Sequence, residues 1–143
     1  MISSRKVDDL NPIVQEKCRK FVDECEKADI DLLITSTYRD IESQNALYAQ
    51  GRTTPGKIVT NAKGGQSWHN WRVAFDVVPL RNGKPVWNST GNDLVLWQTL
   101  GQLGKSCGLE WAGDWKTFKE MAHFQYTGGL TLADLQNGKT VTA

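Results

Sequence analysis

The chain has 143 residues, a length that suits one domain with one core. Its 17 basic and 16 acidic side chains leave a formal charge of +1, which offers no basic excess to hold nucleic acid or an anionic membrane surface. No apolar run reaches the ~20 residues of a bilayer span, so stable membrane insertion is not expected.

In chain order, the opening MISSRKVDDL has two basic residues but no apolar stretch behind them. A signal peptide is therefore not expected, and synthesis in the cytoplasm is. NPIVQEKCRKFVDECEKA predicts a helix capped by Asn11, with Pro12 at its first position and apolar residues at 13, 14, 18, 21, 22 and 25. DLLITSTY has the β-branched, apolar character of a buried strand. Asp40 is placed to cap a second helix through IESQNALYAQ, stopped by Gly51. Residues 52–66 carry turn residues and little periodicity, and loops this long in small domains often serve function.

VAFDVVPL predicts a strand, with RNGK as a hairpin turn into a second strand at PVWN. NDLVLWQTLGQLGKSCG predicts a third helix, capped by Asn92 or Ser89 and ended by Gly108. LEWA and AHFQY predict two short strands around the turn-rich GDWKTFKEM, and TLADLQNG a short closing helix. The expectation is a single α+β domain, residues 1–143, with a small, mostly antiparallel sheet flanked by helices.

Cys18, Cys25 and Cys107 are odd in number and lack CxxC spacing, which argues against a disulfide framework or zinc ribbon. They are expected to be small buried hydrophobes. Trp97 falls on the apolar pattern of the third helix and is expected in the core. Trp68, Trp71, Trp111 and Trp115 lie beside the chemistry-bearing segments and fit either a cleft wall or a core.

The chain holds only two histidines. A catalytic zinc needs three protein ligands and one open position, and imidazole nitrogen and carboxylate oxygen are suitable donors. His69 and Asp76 are seven apart, an offset that faces opposite ways within one straight strand. They can share an ion if His69 lies in the preceding loop and Asp76 within the strand. Asp76 sits among Phe75, Val77 and Val78, where an aspartate needs a partner. His123 can be the third ligand, and Glu120, three before it, reaches the same side only if KEMA turns. Spacing alone also allows two ordinary packing histidines and an aspartate met by arginine or backbone amides.

SWHNWRVAFD resembles the SxHxxxxAxD signature of the D-alanyl-D-alanine and L-alanyl-D-glutamate metallopeptidases, at Ser67, His69, Ala74 and Asp76. EMAH resembles their later acidic-x-x-His element. STYRDIESQNALYAQGRTTPGKIVTNA and GLEWAGDW are similar to segments of the small phage endolysins of this family. The likeness spans roughly residues 35–125.

The resemblance implies a hedgehog / D-Ala-D-Ala peptidase-like fold with Zn2+ bound by His69, Asp76 and His123. It implies Glu120 as general base and acid; among the neighbouring acids Asp114 is the reserve candidate, as base or as support to a ligand, and Glu110 the next. It implies that Arg39 contacts substrate or developing negative charge; the plainer reading of Arg39 is electrostatic capping of strand and helix ends. Ser67 and Gln44 fit either hydrogen bonds to substrate or ligands, or plain structure. Peptidoglycan is the implied partner and the L-alanyl-D-glutamate bond the implied target, in a monomer without a separate wall-binding domain. A D-alanyl-D-alanine carboxypeptidase or dipeptidase shares the signature, and a non-catalytic zinc-bearing wall-binding module remains a third reading. Where many relatives carry an aromatic residue and then glycine after HN, this chain has Trp71 and Arg72, a bulky cation expected to reshape the cleft.

Overall fold

The computed structural model describes residues 1–142. Helix α1 spans Pro12–Lys27, and the Asn11 side chain accepts from the Ile13 amide to cap it. Val14, Cys18, Phe21 and Cys25 recur at helical spacing and form its fully buried stripe. Strand β1 (Asp31–Ser36) follows, then α2 (Ile41–Ala49), whose Ser43 amide is accepted by Asp40. Strands β2 (Ala74–Arg81) and β3 (Lys84–Pro85) form a hairpin, with Asn82 and Gly83 both at positive φ in its two-residue turn. Helix α3 (Asn92–Ser106), β4 (Glu110–Trp111), β5 (His123–Gln125) and α4 (Leu132–Gln136) complete the chain.

The strands form one antiparallel sheet in the order β1-β2-β5-β4, with β3 paired to the end of β2. Strand β2 is thus central, and its Phe75, Val77 and Val78 are fully buried. Phe124 of β5 joins sheet to helix: its ring lies 4.7 Å from Phe21 of α1 and 5.9 Å from Phe75. Burying one such ring contributes about 2–3 kcal/mol. Gly104 makes room for it on α3, since a Cβ there would come within 2.5 Å of the Phe124 ring. The α+β architecture is the one expected, an antiparallel sheet flanked by helices.

Some boundaries differ from expectation. Val86–Asn88 is not strand, because β3 ends at Pro85. The cap of α3 is neither Ser89 nor Asn92: Gly91 takes that position at φ 58, without a side-chain cap. Its first turn is secured instead by Asp93, whose carboxylate accepts from Arg81 at 2.6 Å and Asn88 at 3.0 Å. The three cysteines are free and buried as expected, and burial pushes the Cys18 and Cys25 thiols up to about 12. Trp97 is in the core. No helix among the described residues is long and apolar enough to cross a membrane.

Candidate metal centre and active site

Alternation along β5 sends Phe124 into the core and His123 and Gln125 to the opposite face. His123 is the register partner of Asp76 on β2. The residues before β2 are not open loop. Trp68–Trp71 is a 3-10 helix with a capping box, in which Ser67 Oγ accepts from the His69 amide and the Asn70 side chain reaches back. This turn sets His69 over the start of β2, which overcomes the odd spacing between His69 and Asp76.

The turn is stitched to the segment after β1. His69 Nδ1 meets the Thr37 carbonyl at 2.8 Å, the Arg39 amide donates to the His69 carbonyl at 3.2 Å, and Asn70 Nδ2 donates to the Arg39 carbonyl at 2.8 Å. Residues 2–4 brace that segment in turn, through Ser4–Tyr38, Ser4–Thr37 and Ile2–Asp40 backbone bonds.

The result is a convergent triad. Asp76 Oδ1 lies 3.3 Å from His69 Nε2 and 3.1 Å from His123 Nδ1. One donor atom from each of the three residues falls within 4.8 Å of the others. A tetrahedron with zinc bonds near 2.0–2.1 Å has edges of about 3.3 Å, so the spacing suits one ion. The far side of each ring supports the same conclusion. His69 Nδ1 faces a carbonyl oxygen and His123 Nε2 faces Gln125 Oε1 at 2.7 Å. Both oxygens accept, so both far nitrogens carry a hydrogen and the near nitrogens are the ones left to face a metal. Two imidazoles and a carboxylate form a borderline-hard donor set that fits zinc.

The charge balance also favours a cation. Burial works against the Asp76 carboxylate, yet the hydrogen bonds and charges of His123 and His69 outweigh it and hold the carboxyl well below its usual range. Burial likewise opposes a charged His123, but Asp76 raises its pKa on balance.

The triad lies in an open cleft of about 870 Å³. Trp115 packs against His123 with ring centroids 5.5 Å apart. The long loop supplies Ile58 to Ala62 as one wall, and the segment before β5 supplies Phe118, Lys119 and Glu120 as another. Phe118 is 76% exposed and holds φ 52, a left-handed conformation costly for an aromatic residue.

Residues Lys119–Ala122 turn as the chemistry requires: the His123 amide approaches the Glu120 carbonyl at 3.4 Å, and Glu120 Oε2 lies 3.6 Å from His123 Nδ1. Glu120 therefore borders the triad with an exposed carboxylate outside the close cluster. Asp114 instead pairs with Lys105 at 2.7 Å and lines a separate groove on the α3 side. Glu110 accepts from the amide and hydroxyl of Thr127.

Arg39 lines the cleft, where burial lowers its pKa against the pull of Asp76 and Glu120. Its terminal nitrogens donate to Gln44 Oε1 at 2.9 Å and Ser36 Oγ at 3.3 Å, while its buried Nε–H finds no acceptor among the described residues. Gln44 is fully buried behind Arg39, its amide group spent on Arg39 and the Ala62 carbonyl, and it does not line the cleft. Ser67 lines the cleft while its hydroxyl serves the 3-10 cap.

Trp68 and Trp115 wall the cleft, whereas Trp111 is in the core and Trp71 packs against it. Arg72 does not enter the cleft. It takes φ 64 at the end of the 3-10 helix, stacks its guanidinium 3.7 Å over Tyr38 and donates to the Asp9 carbonyl. The expectation that it reshapes the cleft is thereby corrected.

Two polar residues on which the geometry depends, Asn70 and Gln125, were not singled out by sequence. Gln125 had a legible signal, since a residue two after a strand histidine shares its face.

The sequence profile described as D-alanyl-D-alanine carboxypeptidase matches residues 60–126, which include all three triad residues. The chain is 36% identical over 122 residues to the peptidoglycan L-alanyl-D-glutamate endopeptidase CwlK of Bacillus subtilis (strain 168), covering 82% of this chain and 73% of that protein. The chain belongs to the D-alanyl-D-alanine carboxypeptidase-like (M15) peptidase family. The M15 fold is matched by the Serratia marcescens L-Ala D-Glu endopeptidase ChiX, with TM-score 0.62 at 19% identity, over 89% of this chain and 90% of that one. DacB from Streptococcus pneumoniae D39 matches with TM-score 0.62 at 21% identity, over 92% and 80%.

Proposed function

We propose that the protein is a zinc-dependent endopeptidase that hydrolyses the L-alanyl-D-glutamate bond of peptidoglycan stem peptides. The observation that carries the reading is the triad of His69, Asp76 and His123 with Glu120 beside it, in a chain 36% identical to an L-alanyl-D-glutamate endopeptidase. Zinc held by the triad supplies Lewis-acid polarisation of the scissile carbonyl and makes water a stronger acid. Asp76, His69 and His123 would hold the ion against the cleft. Glu120, not itself a ligand, takes a proton from the attacking water and returns it to the leaving amine. Such positioned transfer contributes on the order of 100 to 10,000-fold. Arg39, held in place by Gln44 and Ser36, lines the cleft and sets its guanidinium charge toward a substrate carboxylate or toward charge developing on the carbonyl oxygen. A stem peptide containing D-glutamate provides such carboxylates. Ser67 lies on the cleft wall within reach of the same substrate.

The second reading, D-alanyl-D-alanine carboxypeptidase or dipeptidase, keeps the same machinery and is favoured by the description of the matching family profile. A non-catalytic zinc module would have no use for a carboxylate at position 120. Digestion of purified peptidoglycan followed by mass analysis separates these. New N-terminal D-glutamate supports the proposal, released D-alanine alone supports the second reading, and no product in zinc-loaded protein supports the third.

On the likeness to short phage enzymes, we further propose a lysin role. The protein acts as a monomer, made in the host cytoplasm and reaching the wall once the membrane is permeabilised. Expression in a host with and without a membrane-permeabilising agent tests this, with lysis expected only when the agent is present.

A further inference from the structure

We infer that Gln125 is a positioning residue that fixes the tautomer and orientation of His123, so that Nδ1 alone is offered to the metal. The inference rests on the reading of His69, Asp76 and His123 as zinc ligands. Gln125 is buried, shares the β5 face with His123, and places Oε1 2.7 Å from His123 Nε2. An amide oxygen only accepts, so Nε2 carries a hydrogen, and Nδ1, 3.1 Å from Asp76 Oδ1, is the nitrogen left to exchange a proton for a metal. The ring has little freedom to answer otherwise. Trp115 packs against it, His69 meets it edge to face, and Phe124 between the two β5 residues is locked against Phe21 and Phe75.

The His69 ring is served by the Thr37 backbone carbonyl, which no substitution of that side chain removes directly. His123 depends on a side chain, so Gln125 is the point where the metal site is open to tuning by sequence.

The test compares wild type, Gln125→Leu and Gln125→Glu by zinc affinity, measured against a competing chelator, with thermal unfolding as a folding control. Leucine keeps the bulk and removes the acceptor; glutamate keeps an acceptor. Zinc binding by Gln125→Leu is expected to weaken on the order of 10 to 100-fold, a size usual for outer partners of metal ligands. Gln125→Glu is expected to bind as tightly as wild type. If Gln125→Leu fails to fold, 15N NMR of the zinc-loaded wild type decides instead, with the His123 ring hydrogen expected on Nε2. Unchanged zinc affinity in folded Gln125→Leu, or a ring hydrogen on Nδ1, overturns the inference and leaves the metal reading standing. A wild type that binds no zinc overturns both.

Discussion

His69 and His123 meet edge to face, ring centroids 5.2 Å apart and planes at 77°, and each turns one nitrogen toward the same oxygen of Asp76. Neither ring can leave that arrangement cheaply, because both are nearly fully buried and both are hydrogen-bonded at the far nitrogen. Removing either imidazole leaves two ligands for a metal that takes at least three from protein. His69→Ala and His123→Ala should each abolish stoichiometric zinc binding, which is expected at about one ion per chain in the wild type. Metal analysis of the purified proteins after zinc supplementation checks this, and a full equivalent retained in either variant would remove that residue from the ligand set.

Glu120→Gln preserves size and the exposed position while removing the base. It should keep zinc and lose on the order of 100 to 10,000-fold in hydrolysis. Near-wild-type turnover would move the base elsewhere. Asp114 is poorly placed to take over, being paired with Lys105 and facing the other groove.

Metal-free protein should show a particular pH profile of stability. The Asp76 carboxyl is held below its ordinary 3.8, against its own burial, by His123 and His69. His123 is raised above its ordinary 6.5, again against its own burial, by Asp76. A lowered carboxyl contributes stability above its unfolded pKa and loses it as pH falls through the folded value. A raised imidazole contributes below its unfolded pKa and loses it as pH rises through the folded value. Both contributions are therefore full between about 3.8 and 6.5. The Tm of chelator-treated protein should peak in that window. Zinc should abolish the decline above it, because the ion takes the neutral imidazole. A metal-free Tm that keeps rising above the window would contradict this.

Gly104→Ala tests the support beneath β5. Alanine favours a helix by about 1 kcal/mol over glycine, yet its Cβ would come within 2.5 Å of the Phe124 ring. Overpacking of this kind usually costs about 1–3 kcal/mol, so net destabilisation is expected by denaturant titration. Zinc affinity should fall as well, since Phe124 lies between His123 and Gln125 on one short strand.

Arg72→Gly tests whether the cation matters to the cleft. Glycine relieves a left-handed conformation worth roughly 1–2 kcal/mol but forfeits the Tyr38 stacking, worth about 0.5–1 kcal/mol, and the Asp9 contact. Stability should change by less than about 1 kcal/mol on that balance, and peptidoglycan hydrolysis should be unchanged. A large change in KM would place Arg72 in substrate contact after all.

The helices and the central strand were legible because their signals are local. Asn11 with Pro12, Asp40, and the buried stripe of α1 each act within a few residues. The triad was legible through the scarcity of histidine and through a motif, not through spacing, which by itself placed His69 and Asp76 on opposite faces. What overcame that spacing was the 3-10 helix at Trp68–Trp71, whose formation depends on Asn70 satisfying the Gly65 and Ser67 amides at once. Arg72 was misjudged for a related reason: its left-handed backbone turns the side chain toward Tyr38 and the N-terminal segment, and no pattern in the sequence announces that. The roles of Gln44 and Gln125 depend on contacts across the fold or across a strand face, where an amide looks the same whether it meets substrate or protein.

Asp76 is carried by the strand that has neighbours along both sides, whereas Glu120 stands exposed on the segment between the bend that follows Trp115 and strand β5. Amide protection should therefore be deepest around the ion's anchor and shallow around the proton carrier. On gradual warming, turnover would then fade through local fraying while the protein still holds its ion, so that heat inactivation and metal release become two separate events in the life of one molecule.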